Sequence, residues 1–121
     1  MVSIQPLDSN VFSLKLTGVS PNPLGNDGVS EWAEITNPLG KDISLAGCTL
    51  DDDIEKGSNP YFFQDSSIIR ADSKKRFYKL QTSLNFNNTG DSANLSCGGR
   101  IVSTLVWDYS VPEGFVVSGK E

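Results

Sequence analysis

The chain has 121 residues, 10 Lys+Arg against 15 Asp+Glu, a net charge of −5 and no histidine. That length fits one ordinary domain and is short for two, and 37% hydrophobic residues are enough for a single core. The acidity repels nucleic acid and anionic lipid, which are held by Lys and Arg, and the missing imidazole removes Ser-His-Asp triads, Cys-His dyads and His-ligated metal sites.

Along the chain, apolar residues recur every second position, the period of half-buried strands. Phe12, Leu14 and Leu16 alternate with Val11, Ser13, Lys15 and Thr17, which predicts a first strand with those three on one face. In Glu31-Trp32-Ala33-Glu34-Ile35-Thr36, Ala33 and Ile35 share the inner face, and Trp32, Glu34 and Thr36 the other. Asn37-Pro38 ends that strand, since an Asn side chain can satisfy turn backbone groups. Ile43 and Leu45 share a face, as do Cys48 and Leu50 beyond Gly47. The aromatic stretches Tyr61-Phe62-Phe63-Gln64 and Arg76-Phe77-Tyr78-Lys79-Leu80 favour strands. Ala93, Leu95 and Cys97 form a further set, with Ile101, Ser103, Leu105 and Trp107 as the last.

Turn signals separate these runs: Pro21-Asn22-Pro23, Asn26-Asp27-Gly28, Gly57-Ser58-Asn59-Pro60 and Asn87-Asn88-Thr89-Gly90. Cys97-Gly98-Gly99-Arg100 reads as a tight hairpin. Residues 66–80 are the best helix candidate, yet their apolar side chains do not gather on one face. Asn-Pro-Leu-Gly at 22–25 and 37–40 is turn chemistry reached twice, because nothing similar follows at the same spacing. The pattern predicts an all-β sandwich or barrel in a single domain, residues 1–121. Its core spans about residues 2–109, and 110–121 form a last edge strand or a linker stub. The longest apolar runs are three residues, such as Tyr61-Phe62-Phe63. A membrane span needs about 20, so no insertion by this segment is expected.

The chemistry-bearing motifs are few. There is no G-x-S-x-G elbow, phosphate-cradling glycine loop or C-x-x-C pair. The dense acids Asp51, Asp52, Asp53 and Glu55 are contiguous, and contiguous carboxylates do not by themselves straddle a glycosidic bond. No enzyme and no cofactor are expected. Lys74-Lys75-Arg76, flanked by Arg70 and Lys79, reads as a solvated turn and strand edge, with an anionic-surface patch as the alternative.

Three blocks resemble the lamin-tail domain, an immunoglobulin-like β-sandwich. Glu31-Trp32-Ala33-Glu34-Ile35-Thr36-Asn37-Pro38 is similar to the family's E-W-x-E-hydrophobic-x-N strand. Leu45-Ala46-Gly47-Cys48-Thr49-Leu50-Asp51-Asp52 is similar to its L-x-G-W-x-L-x-D segment, with Cys48 where Trp is usual. Asn88-Thr89-Gly90-Asp91-Ser92-Ala93-Asn94-Leu95, followed by Gly98-Gly99-Arg100-Ile101-Val102, is similar to its N-x-G-D-x-hydrophobic-x-L hairpin. The resemblance implies an immunoglobulin-like β-sandwich without catalytic residues, of the prokaryotic branch, where such domains accompany secreted or surface proteins. An extracellular or cell-surface location follows as an expectation, with a protein or surface polymer as partner.

Several residues carry two readings. Cys48 and Cys97 fall on inward faces, either as buried thiols acting as small hydrophobes or as a disulfide closing a long loop. Trp32 either packs under a loop or the chain terminus, or offers a platform to a sugar ring or partner. Trp107 belongs in the core. Asp51, Asp52 and Asp53 are a solvated loop or, with Glu55, oxygen ligands for calcium, although EF-hand spacing is absent and no metal site is assigned. The Asn87 and Asn94 sequons are too short a pattern to carry weight.

Overall fold

The computed structural model describes residues 7–25, 30–53 and 59–119. Among the described residues, ten strands lie in this order: β1 Lys15–Ser20, β2 Trp32–Asn37, β3 Ile43–Ser44, β4 Cys48–Asp51, β5 Tyr61–Phe62, β6 Ile68–Ile69, β7 Ser73–Tyr78, β8 Asp91–Cys97, β9 Arg100–Trp107 and β10 Val117–Ser118. They form two four-stranded antiparallel sheets, β10-β1-β2-β7 and β5-β4-β8-β9, with a small β3-β6 pair.

Between the two layers lies one core. Ala33 and Ile35 of β2 are wholly buried and face it, as the alternation requires, together with Leu50, Leu95, Phe77 and Trp107. Each large aliphatic side chain removed from water here contributes about 1.5–3 kcal/mol. Phe63 meets Phe77 edge-on at 4.9 Å between ring centres and links the sheets at one side. Trp107 sits in the core and donates its Nε1–H to the Asn87 carbonyl at 2.9 Å, so its polar atom is not stranded.

Asn37 is the main polar group in this interior. It is 0% exposed, and its Nδ2 donates to the carbonyls of Lys41 (2.8 Å), Ile69 (3.0 Å) and Arg70 (3.0 Å). Its Oδ1 accepts from Leu39 N–H at 2.9 Å. One side chain thus ends β2 and holds the 38–41 turn against the β6–β7 connection. Gly98 and Gly99 take φ of 58° and 80°, the two left-handed positions of the hairpin read from Cys97–Arg100.

Three local expectations are corrected. Residues 9–13 form a 3-10 turn, Ser9–Ser13, with the first strand beginning at Lys15. Val11 is therefore buried and Phe12 is 42% exposed. The cause is Asp8, whose carboxylate caps the turn through Asn10 N–H (2.9 Å) and reaches Ser44 N–H (3.0 Å). Those two bonds hold the Asp8 carboxyl below its usual value. Ile101 is 58% exposed, apart from Leu105 and Trp107. A bulge shifts the β8–β9 register between Leu95 and Ser96, so Ile101 sits opposite outward-facing Ser96. The 76–80 stretch splits into the end of β7 and a helical turn at Lys79–Thr82, leaving Leu80 on the surface.

Candidate functional site

Trp32 lies on the outer face of the β10-β1-β2-β7 sheet, opposite to Ala33 and Ile35. The Arg76 guanidinium carbon stands 3.9 Å from the centre of its ring, leaving the residue 9% exposed. Gly18, on the neighbouring strand, lets the ring lie flat: a side chain there would come within 3.2 Å of it. Arg76 Nε also meets Glu34 Oε2 at 3.2 Å, and the Thr17 hydroxyl donates to Glu34 Oε1 at 2.9 Å. The indole is thus one layer of a cation–π and hydrogen-bonded stack rather than an open ring face.

Asp51, Asp52 and Asp53 run off the end of β4, and Glu55 lies outside the described residues. Asp51 Oδ1 accepts the Asp52 N–H at 2.9 Å, and Asn94 Nδ2 donates to the Asp52 carbonyl at 2.7 Å. Partial burial, a side-chain hydrogen bond to Asp52 and the charges of Asp52 and Asp53 push Asp51 up to about 6. The same two charges, after burial, help raise Asp91 from β8, a member of this acidic region that spacing along the chain does not reveal. Among the described residues, no group of three or more side chains is placed to hold a metal ion.

The Asp51 shift has a sign. A carboxyl whose folded value lies above its unfolded value of 3.8 binds its proton more tightly in the native state. Its contribution to stability is complete below 3.8 and is lost as pH rises through about 6. Asp51→Asn keeps the acceptor and supplies the amide donor of the protonated acid. Because the Asp51 carboxyl is only partly buried and solvent still screens it, the gain expected at pH 7 is about 1 kcal/mol. The two proteins should converge near pH 3.5 in denaturant titrations. A variant less stable than the parent at pH 7 would contradict this repulsion.

Cys48 and Cys97 are direct partners across β4 and β8, with Cα atoms 4.0 Å apart, and are joined as a disulfide. Both are buried. Antibody domains place their bridge between the two sheets; here it staples adjacent strands of one sheet.

A polar cleft of about 380 Å³, lined by Pro21, Glu31, Lys79, Asn85, Phe86, Asn87 and Asn88, opens at one end of the sandwich. Glu31, 3% exposed, receives Phe86 N–H at 2.8 Å on one oxygen and faces Lys79 Nζ at 3.5 Å with the other. Lys79 Nζ also donates to Asn85 Oδ1 at 2.9 Å. Glu31 thus ties the start of β2 to the segment after the helical turn. This pair is not legible along the chain, because its members lie 48 positions apart. The one available signal was a charged residue opening an otherwise buried strand.

An antiparallel two-layer sandwich of this kind, with its core between the sheets, is an immunoglobulin-like domain. Residues 9–108 match the Lamin Tail Domain family, and the chain belongs to that family. The match runs from the 3-10 turn through β9; the tail that supplies β10 follows it. Among curated proteins, no relative matches the sequence. No helix among the described residues is long and apolar enough to cross a membrane.

Proposed function

We propose that this chain is a non-catalytic interaction or spacer module of a larger secreted or cell-surface prokaryotic protein. The observation that carries this reading is a lamin-tail sandwich stapled by a buried disulfide. Stable structural disulfides belong to oxidising compartments, and the immunoglobulin-like fold supplies a rigid presenting surface rather than a chemistry of its own. The buried polar groups support it, since Asn37 and Glu31 are both engaged with backbone groups of the fold itself.

Compartment and thiol state test it together. In the natural host, cells are quenched in acid, thiols are trapped with a maleimide, and fractions are analysed by mass. The expected result is a chain in the envelope or medium with Cys48 and Cys97 unlabelled. A cytosolic chain carrying two labels would overturn the reading.

A further inference from the structure

An amine, a carboxamide and a buried carboxylate meet in the polar cleft. Lys79 Nζ donates to Asn85 Oδ1 at 2.9 Å, which places the amine one bond away from Asn85 Cγ. The same Nζ lies 3.5 Å from Glu31 Oε2. The Lys79 side chain is 23% exposed and Glu31 is buried, whereas Asn85 stands at the open side of the cleft.

The backbone fixes all three. Lys79 N–H donates to the Glu31 carbonyl at 2.8 Å, and Phe86 N–H, next to Asn85, donates to Glu31 Oε1 at 2.8 Å. The segments carrying the amine and the amide are thus both tied to the residue that carries the carboxylate. Between them, Ser83 takes a left-handed φ of 60°, a costly conformation for a residue other than glycine, and donates its N–H to the Lys79 carbonyl at 2.8 Å. That reversal returns Asn85 to Lys79. Phe86 is buried beside Trp107, so the segment after the reversal is anchored in the core.

We propose that Lys79 and Asn85 are the site of a self-formed amide cross-link, with Glu31 as the proton acceptor. Nζ gives a proton to Glu31 Oε2 and attacks Asn85 Cγ, forming the Cγ–Nζ bond while the carbonyl π pair moves onto Oδ1. A second proton passes from Nζ to Nδ2, the carbonyl re-forms and the Cγ–Nδ2 bond breaks. The nitrogen leaves through the open cleft as ammonia and takes up the proton held by Glu31. Overall, one ammonium and one carboxamide become one secondary amide and one ammonium ion, with no oxidant or further reactant. Amides resist amines in water, but fixed neighbours reach effective concentrations of about 10⁵–10⁸ M. Each chain reacts once on itself, so the module turns over no substrate. The product closes residues 79–85 into a ring, and a single backbone cut inside it does not sever the chain.

Intact mass of the purified full chain tests this, followed by reduction, alkylation and tryptic digestion under denaturing conditions. The parent is expected to be lighter than its sequence by one ammonia. Its peptide 77–100 should carry that loss and stay uncut after Lys79, because an acylated lysine is no longer a trypsin site. Lys79→Arg keeps a cation beside Glu31 and has no amine to react, and Glu31→Gln keeps an acceptor for Phe86 N–H and takes no proton. Both variants are expected at full mass, cut normally, with circular dichroism like the parent. A parent at full mass would overturn the proposal and leave the three groups as a hydrogen-bonded clasp. So would an ammonia loss with normal cleavage after Lys79, which is the signature of an asparagine succinimide. A cross-link that persists in Glu31→Gln would contradict the role given to the carboxylate.

Discussion

Replacing Cys48 and Cys97 together with alanine is expected to lower the unfolding free energy by about 4 kcal/mol in the chain-entropy description of cross-links. The bridge joins positions 49 apart in sequence, so the unfolded chain loses a large closed loop when it is removed. A change of that size in a domain this long lowers the melting temperature by roughly 15 °C. Reduction of the parent protein should reproduce most of the loss, because the sulfurs are buried in an otherwise intact sheet. Guanidinium titrations of the parent, the reduced parent and the double variant check this. A loss below about 1 kcal/mol would mean that the two sulfurs contribute as small apolar groups and little more.

The second large effect lies at Asn37. Asn37→Ala removes the donor shared by three carbonyls and the acceptor for Leu39 N–H, all supplied by a side chain that is 0% exposed. Buried groups left unpaired cost about 1–3 kcal/mol each, and partial hydration of the turn lowers the sum, so about 3 kcal/mol is expected. Asn37→Asp separates hydrogen bonding from shape. It has nearly the same volume and keeps the acceptor for Leu39, yet at neutral pH it turns a carboxylate toward the oxygens of Lys41, Ile69 and Arg70. It should therefore be at least as damaging as alanine at pH 7 and recover part of the loss on acidification, when the carboxyl regains a donor. Urea unfolding of both variants at pH 7 and pH 4 decides this. An aspartate variant as stable as the parent at pH 7 would show that the three carbonyls are satisfied in some other way.

What could be read from the residues follows the range of the forces involved. Ala33, Ile35, Leu50 and Leu95 were legible because alternation is set by the strand's own geometry. The Gly98-Gly99 turn and the strand end at Asn37 were legible because turn chemistry acts over a few residues. The strand assigned to 11–17 failed at its start, where Asp8 reaches both Asn10 and Ser44 and winds the chain into a turn that alternation cannot foresee. Ile101 failed for a similar reason, since one extra residue in β9 reverses every face on the near side of the bulge.

The functional surfaces are harder to read because strand order, not spacing, makes them. Composition marks the basic run only as a solvated turn and strand edge; all three of its residues lie within β7. That this edge is long, regular and last in its sheet depends on β2 pairing with β7 across some forty residues of chain. The Glu31–Lys79 pair and the approach of Asp91 to the Asp51–Asp53 run are likewise products of the closed sandwich. Alternation places Trp32 on the outer face, but its cover is Arg76 of the neighbouring strand rather than a loop or the chain terminus.

Native-state amide hydrogen exchange tests the architecture most directly, because it reports strand by strand which groups are locked between neighbours. The amides of Ala33 and Ile35 in β2 and of Leu95 in β8 are expected among the slowest in the molecule, while Arg76 and Tyr78 on the open side of β7 exchange fast. Rapid exchange throughout β2, or strong protection of Arg76 and Tyr78 in the isolated chain, would contradict it.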